Sequence, residues 1–499
     1  MARTALVLAL ILVAVPALAQ YTTPGFGVSW NMDTLVANSG GAVTGAAGVY
    51  SVHQAVTISI SDAITIAPGS VITFADDVEV GFNVQGSLTA QGTSDAIIVF
   101  TGVNETPGSW QGLDLGNTGA GSAMVLEYCE IAYAHTAADA FGADMELRNC
   151  EIHNSLEKAI DISDGDGIVE DCHVHHNQQR TVSMTLTASP TITGCLFEHN
   201  NLENSSPYPY INIGLQGVNS PTISDNEIWG SGNHMSGGIA IWNSSNALIQ
   251  NNVIRECGYG ILCYSVGANP TIDDNLIRDN TIHPDTVNWG FGVACNGDNA
   301  PTLTRNVIVG HWYGVAAING GRPNLGDIDN GIPGDDGMNL IVGNGLGDSC
   351  YGFFNNTPLT QMAQGNDWGV VTDEDVEDCI QHQVDDPSLG LVNFDHWVHV
   401  APVQDTPAVL GDVTAQPNPF NPQVTIAFNL ERAGHVSLTV LDIRGRLVKE
   451  LVVDELNAGR HDLRWDGTDR GGRALPSGTY FYRVIAGNET RTGKLALVR

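Results

Sequence analysis

Positive charge is scarce in this chain: 499 residues hold 20 Lys plus Arg against 55 Asp plus Glu, a formal net charge of −35 at pH 7. Neutralising phosphates requires clustered Lys and Arg, so this balance argues against a nucleic-acid binder and disfavours docking on anionic lipid. Charged residues make up only 15% of the chain, while 57 residues are Gly and 42% are apolar. That is too apolar for a charged disordered chain and too glycine-rich for a helical bundle. After Gln20 no apolar run reaches the roughly 18 residues that a membrane-spanning helix needs. The one long apolar run lies earlier, where Arg3, Leu6 to Val15 and Ala17-Leu18-Ala19 read as the parts of a signal peptide over residues 1–19. The expectation is a chain that leaves the cytoplasm and stays soluble, without a transmembrane segment.

The few basic residues are unevenly placed. Residues 1–405 carry eight against 45 acidic residues, a net −37, whereas the remainder carries twelve against ten, a net +2. Such a break marks a domain boundary. The expected organisation is a long segment over 20–400, a Pro-containing linker over 401–415 and a small domain over 416–499. Alternation in Val424-Thr425-Ile426-Ala427-Phe428 and Val436-Ser437-Leu438-Thr439-Val440 reads as short half-buried strands of a β-sandwich. The runs PNPFNPQVTIAFNL, VSLTVLDIRGRLVKEL and AGRHDLRWDGTDRGGRALPSGTYFYRV resemble the Ig-like fold of flagellar hook-capping proteins. More closely, they resemble the C-terminal sorting domains of the bacterial type IX secretion system. That resemblance implies outer-membrane secretion machinery as a partner, and a secreted or outer-membrane surface location in a Gram-negative-type bacterium.

The long segment repeats. SPTITGCLF, SPTISDNEI, NALIQNNVI, NPTIDDNLI and APTLTRNVI share one pattern, with anchors at Ile192, Ile223, Ile249, Ile272 and Leu303 and a second anchor five residues later. Earlier coils keep Cys129-Glu130-Ile131, Cys150-Glu151-Ile152 and Cys172-His173-Val174, at intervals of 21, 22 and 23 residues from Ile131 to Phe197. A third register runs through Ile160, Ile239, Ile261, Val293 and Val315. Three short strands per turn predict an all-β chain: a right-handed parallel β-helix solenoid followed by the small Ig-like β-sandwich. A single coil cannot bury its own Ile and Val; stacked coils can. Leucine-rich repeats would need Leu where Ile and Asn stand, and propeller blades a longer period. The segment also resembles secreted β-helix proteins of pectate-lyase-like architecture, including copper-processing periplasmic ones. AITIAPGSVITFADDVEV looks like opening coils and YGFFNNTPLTQMAQGNDWG like a closing segment. The fold so implied carries lyases, hydrolases, adhesins and spacers.

Cys129, Cys150, Cys172 and Cys195 share one inward register that Asn226, Asn252, Asn275, Asn306 and Asn339 continue. Buried thiols followed by an amide ladder are expected, mostly as free thiols, because stacked parallel Cβ vectors make poor disulfide geometry.

A regular stack offers only ladders, so sites are sought where it expands. Phe197 to Ile211, Ile228 to Ile239 and Ile277 to Val293 are long where other coils need 7 or 8 residues. Three loops from one corner should build a wall carrying Tyr208, Tyr210, His234, His283 and Trp289, aromatic surfaces suited to a polysaccharide. Lys158 and Arg180, in one register, are catalytic candidates for uronate elimination, which needs a base and a cation. On another face, alternation points Glu151, His153, His173, His175 and Glu198 outward, making His153, His173 and His175 metal-ligand candidates. Asp327, Asp329, Asp335 and Asp336 offer oxygen ligands for Ca2+ without full EF-type spacing. The functional expectation is a secreted or cell-surface protein binding extracellular or envelope polysaccharide. A polysaccharide lyase or glycoside hydrolase using the same groove, and a non-catalytic adhesin-like stalk, are the alternatives.

Overall fold

The computed structural model describes residues 20–499 except 117–121, 215, 231, 333, 348, 400–409, 412, 431–433, 442–446, 470–472 and 487–488. The signal peptide expected over 1–19 and most of the linker expected over 401–415 therefore lie outside the described residues. These fall into two compact units that divide after His399, and none of their helices is long and apolar enough to cross a membrane.

The first unit is a parallel β-helix. Among the described residues its strands form three long sheets of 14, 13 and 11 strands, in which strands pair in parallel with their equivalents one coil away, apart from the antiparallel pair Val43–Ala46 and Val49–Val52. The 14-stranded sheet includes Thr136–Phe141, Lys158–Ser163, Arg180–Thr185, Pro209–Ile213 and Gly237–Trp242; the 13-stranded sheet includes Cys129–Ala132, Glu151–His153, His173–His175 and Leu196–Glu198. Stacking is in register. Ile131, Ile152, Val174, Phe197, Ile228, Ile254, Ile277, Ile308 and Ile341 form one file of Cα partners, each at most 1% exposed. Ile192, Ile223, Ile249, Ile272 and Leu303 form a second. These continuous ladders are the core that no single coil could supply.

The corners explain the short strands. A left-handed residue precedes each ladder position: Asn149 (φ 52°), Asp171 (52°), Gly194 (66°), Asp225 (58°), Asn251 (55°) and Asp274 (55°). Asn, Asp and Gly tolerate this backbone best, and one such residue bends the chain sharply. A second left-handed corner follows five residues on, at Asn154, His176, His199, Glu256, Asp279 and Gly310. Each strand between two corners is thus only about three residues long, with one inward side chain and two outward ones.

Both corners carry buried ladders. Asn226, Asn252, Asn275, Asn306 and Asn339 each donate Nδ2 to the next Oδ1 at 2.8–3.0 Å, ending on Asn366. The second ladder, five residues further along each coil, was not expected: Asn177 Nδ2 donates to Asn200 Oδ1, and Asn280 and His311 lead to Asn344. Cys129, Cys150, Cys172 and Cys195 are buried free thiols, as are Cys257, Cys263 and Cys295. Cys350 and Cys379 form a disulfide in the closing coils.

The second unit pairs Thr414–Gln416, Val424–Leu430 and Gly459–Trp465 in one antiparallel sheet and Leu447–Leu456, Gly434–Leu441, Gly478–Ala486 and Glu489–Leu497 in another. Ile426, Phe428, Trp465, Val436, Leu438, Tyr480, Val484 and Leu495 share one buried core between the two.

Candidate functional site

The outer face of the 14-stranded sheet carries a file of polar side chains. Asn83, Asp114, Asp139, Asp161, Ser183 and Asn212 are successive Cα partners, and each strand residue on either side of them points into the core. By alternation these six point outward. Yet Asp161 is 7% and Ser183 2% exposed. Asn83 Oδ1, Asp161 Oδ1 and Ser183 Oγ are buried without a hydrogen-bond partner. Beyond Asn212 the file turns apolar, through Ala240, Leu262, Ala294, Ala316 and Phe354. At the opposite end it meets a cleft of about 300 Å3 lined by Gln20, Glu79, Asn83, Gln111 and Asp114.

The two cations on this face are each paired with a carboxylate. Lys158 Nζ lies 2.5 Å from Asp161 Oδ2, and Arg180 Nη1 lies 3.1 Å from Glu157 Oε1. Arg180 also stacks over the Tyr208 ring at 4.8 Å. Burial, together with Asp161 and Asp114, pushes the Asp139 carboxyl up to about 7, and burial raises Asp114 as well. An acid able to hold its proton near neutrality therefore stands beside a lysine-paired carboxylate.

The three long loops do leave one corner, between the 13- and 14-stranded sheets. Asn204 Nδ2 meets His234 Nδ1 at 2.7 Å, the His234 and His283 rings lie 5.4 Å apart, and His283 stacks on Trp289 at 4.1 Å. Tyr208, His234, His283 and Trp289 are half-buried along this wall. Tyr210 is not on it. Its side chain packs in the core of the β-helix, 0% exposed, with its hydroxyl accepting from Asn200 N at 3.0 Å. Tyr210 pins the loop and offers no surface to a ligand.

On the 13-stranded sheet, Glu151 and His173 are Cα partners, as are His175 and Glu198. The hydrogen bonds run diagonally: His175 Nε2 to Glu151 Oε1 at 3.2 Å and His173 Nε2 to Glu198 Oε1 at 3.1 Å. The bond from His175 draws the Glu151 carboxyl down to about 2, and burial lowers His175. His153 lies one coil away, stacked on His175 at 5.1 Å with its Nε2 directed to Glu130 at 3.4 Å. Among the described residues, Glu151, His173 and His175 are the one group of three metal-ligand side chains whose donor atoms lie within 4.8 Å of one another. The aspartates at 327, 329, 335 and 336 do not converge in this way. Asp329 instead accepts from Gln364, and Asp335 from Asn324 and Asn330.

Two family matches bear on this geometry. The family described as a right handed beta helix region matches residues 89–233, 134–289 and 205–330, and the FlgD Ig-like domain family matches 418–490. The chain is a right-handed β-helix followed by an Ig-like domain. The basal-body rod modification proteins FlgD of Salmonella typhimurium and Escherichia coli are 39% and 36% identical to it over 56 and 58 residues, 11% and 12% of this chain. Those stretches are 24% and 25% of the relatives, so the β-helix chain spans about a quarter of their length. Among solved structures, the Dettilon tailspike protein aligns over 87% of this chain and 88% of its own at 10% identity, with a TM-score of 0.30. Dimeric latent PorU of Porphyromonas gingivalis aligns over 20% of this chain and 10% of its own, at 22% identity and a TM-score of 0.17.

Sequence reasoning missed the polar file on the β-helix. None of Asn83, Asp114, Asp139, Asp161, Ser183 and Asn212 was among its candidate site residues. A signal exists: Leu113-Asp114-Leu115, Ala138-Asp139-Ala140, Ile160-Asp161-Ile162, Val182-Ser183-Met184 and Ile211-Asn212-Ile213 each set one polar residue between two apolar ones, at a single register.

Proposed function

We propose that this β-helix binds an extracellular or envelope polysaccharide along the outer face of its 14-stranded sheet, and that the Ig-like domain serves export and retention at the cell surface. The observation that carries the reading is the set of buried, partnerless polar atoms on that face, Asn83 Oδ1, Asp161 Oδ1 and Ser183 Oγ. Each unsatisfied group costs about 1–3 kcal/mol, and a sugar hydroxyl can meet each one as donor or acceptor once the covering side chains move aside. Successive coils repeat at about 4.8 Å, the scale of one sugar ring, so an extended polymer can follow the file. Tyr208 and Trp289 at the wall, and the Trp242–Tyr264 pair with rings 4.7 Å apart, supply stacking surfaces. Lys158 and Arg180 are already paired with carboxylates, so the face favours neutral or amino-sugar polymers over uronates.

A second reading, hydrolysis of the bound polymer, is favoured by Asp139. A carboxyl pushed up to about 7 between Asp114 and Asp161 is the kind of acid that glycoside cleavage uses beside an ionised partner. A glycan array of neutral, amino-sugar and uronate polymers, followed by a reducing-end assay on whatever binds, tests both. Retention of a neutral or amino-sugar polymer that weakens in Tyr208→Ala and Trp289→Ala is expected. No retained polymer, or retention untouched by both substitutions and by Ser183→Leu, would overturn the binding reading; binding without new reducing ends would leave hydrolysis out. The export reading rests on residues 416–499 and predicts that a chain ending at residue 405 no longer reaches the cell surface.

A further inference from the structure

We infer that Glu151, His173 and His175 hold a divalent transition-metal ion of the Zn2+ class on the outer face of the 13-stranded sheet, with Glu198 orienting His173. This stands apart from the polysaccharide reading, which uses a different sheet.

The backbone dictates the arrangement. Asp171 (φ 52°) and His176 (φ 55°) are both left-handed corners, so only His173–His175 lies flat between them as a strand. Val174 takes the inward position at 0% exposure, and the two histidines must leave on the same side. Glu151 stands on the adjoining strand in register with His173, and Glu198 on the other side in register with His175. Because each carboxylate reaches the diagonal histidine, the head groups gather toward the middle of the rectangle instead of pairing along its edges.

The separations suit a metal. Donor atoms on adjacent vertices of a tetrahedral centre with bonds of about 2.0–2.1 Å lie roughly 3.3 Å apart. His175 Nε2 and Glu151 Oε1 are 3.2 Å apart, and all three donor atoms fall within 4.8 Å. An ion can therefore replace the shared proton with little movement. Two imidazole nitrogens with one carboxylate select Zn2+-like ions over Ca2+ or Mg2+, which prefer oxygen. The rings are also fixed from outside the set: His175 Nδ1 meets His176 Nδ1 at 2.7 Å, His153 stacks on His175 with 5° between planes, and His173 Nε2 is held by Glu198. A carboxylate or ring that orients a ligating histidine is the usual support of such sites. Three protein ligands leave a position open to water.

The test uses the full-length chain after chelator treatment, titrated with ZnCl2 by calorimetry and with CoCl2 by visible absorption. One equivalent of Zn2+ and a Co2+ spectrum of a nitrogen- and oxygen-ligated ion are expected. His175→Ala and Glu151→Gln should each bind Zn2+ at least ten-fold more weakly, while His283→Ala, in the loop wall, binds as the parent does. Circular dichroism and melting of the metal-free variants check folding, and Glu151→Gln, nearly isosteric, carries the test if His175→Ala does not fold. The inference is overturned by absence of saturable Zn2+ and Co2+ binding. It is equally overturned by binding that survives the His173→Ala, His175→Ala double substitution, or that falls as far in His283→Ala.

Discussion

Asp139 and Asp161 are Cα partners on adjacent strands, both facing away from the core. Burial, together with this neighbouring carboxylate, pushes the Asp139 carboxyl up to about 7. The sign follows from linkage. A carboxyl raised from about 4 in the unfolded chain to about 7 in the folded one binds more protons when folded, so stability falls as pH rises through that window. The full shift corresponds to about 4 kcal/mol, and partial exposure of the side chain reduces this to roughly 2–3 kcal/mol. Asp139→Asn should therefore stabilise the protein at pH 8 and flatten its melting profile between pH 4 and 7. An unchanged profile would mean that Asp139 is ionised at neutral pH, removing the basis for an acid role.

His311 is expected to act in the opposite sense. It is 1% exposed, and its Nδ1 donates to Asn344 Oδ1 at 3.0 Å while Nε2 accepts from Asn280 Nδ2 at 3.1 Å. A proton on Nε2 would face another donor. Burial holds this imidazole down at about 4, below about 6.5 for an exposed histidine. The unfolded chain therefore takes up the proton first, and about 3 kcal/mol of stability is lost as pH falls from about 6.5 to 4. His311→Asn restores the side chain that the neighbouring coils use at this position and should remove that acid sensitivity in thermal melts.

The solenoid was legible because its determinants repeat. Ile131, Ile152, Val174 and Ile254 declare one inward file through a constant spacing from their Cys or Asn, and the structure lines them up. The outward positions of Glu151, His173 and His175 followed from alternation alone. What escaped was burial arising from outside the strand. Asp139 and Asp161 look like ordinary exposed acids until neighbouring coils enclose them. Tyr210 looked exposed because nothing local announces that its ring packs into the β-helix core. The second ladder through Asn177, Asn200, Asn280 and Asn344 was visible as a fixed offset of five from the first, and was passed over because its members alternate in type with Ser155, Cys257 and His311.

The two halves of the first ladder should differ in cost. Asn275 donates to Ile249 O at 2.9 Å and Asn306 Oδ1 at 2.9 Å, and its Oδ1 accepts both the backbone N and Nδ2 of Asn252. Asn275→Ala leaves several buried groups unpaired at about 1–3 kcal/mol each, so a loss of about 3–5 kcal/mol is expected in denaturant unfolding. Cys172, whose thiol makes only long contacts of 3.6 Å to Leu147 O and 3.3 Å to Glu170 O, behaves as a small apolar group. Cys172→Ala should cost about 1 kcal/mol. Equal losses would mean that the amide ladder adds nothing beyond filling space.

Tyr208 and Tyr210 separate contact from support within one loop. Tyr210→Phe keeps the ring and its packing but removes the hydroxyl that accepts Asn200 N. The buried N–H left behind should lower stability by about 1–2 kcal/mol, and amide exchange should quicken over residues 199–208. Tyr208 is half-buried, with Arg180 across its ring at 4.8 Å, so Tyr208→Ala should leave the melting temperature nearly unchanged. If the ring stacks on a sugar, its loss should weaken polysaccharide binding about three- to ten-fold, the worth of one aromatic contact. Should Tyr210→Phe instead weaken binding more than Tyr208→Ala while leaving exchange over the loop unchanged, Tyr210 would have to reach the ligand and could not lie buried in the core.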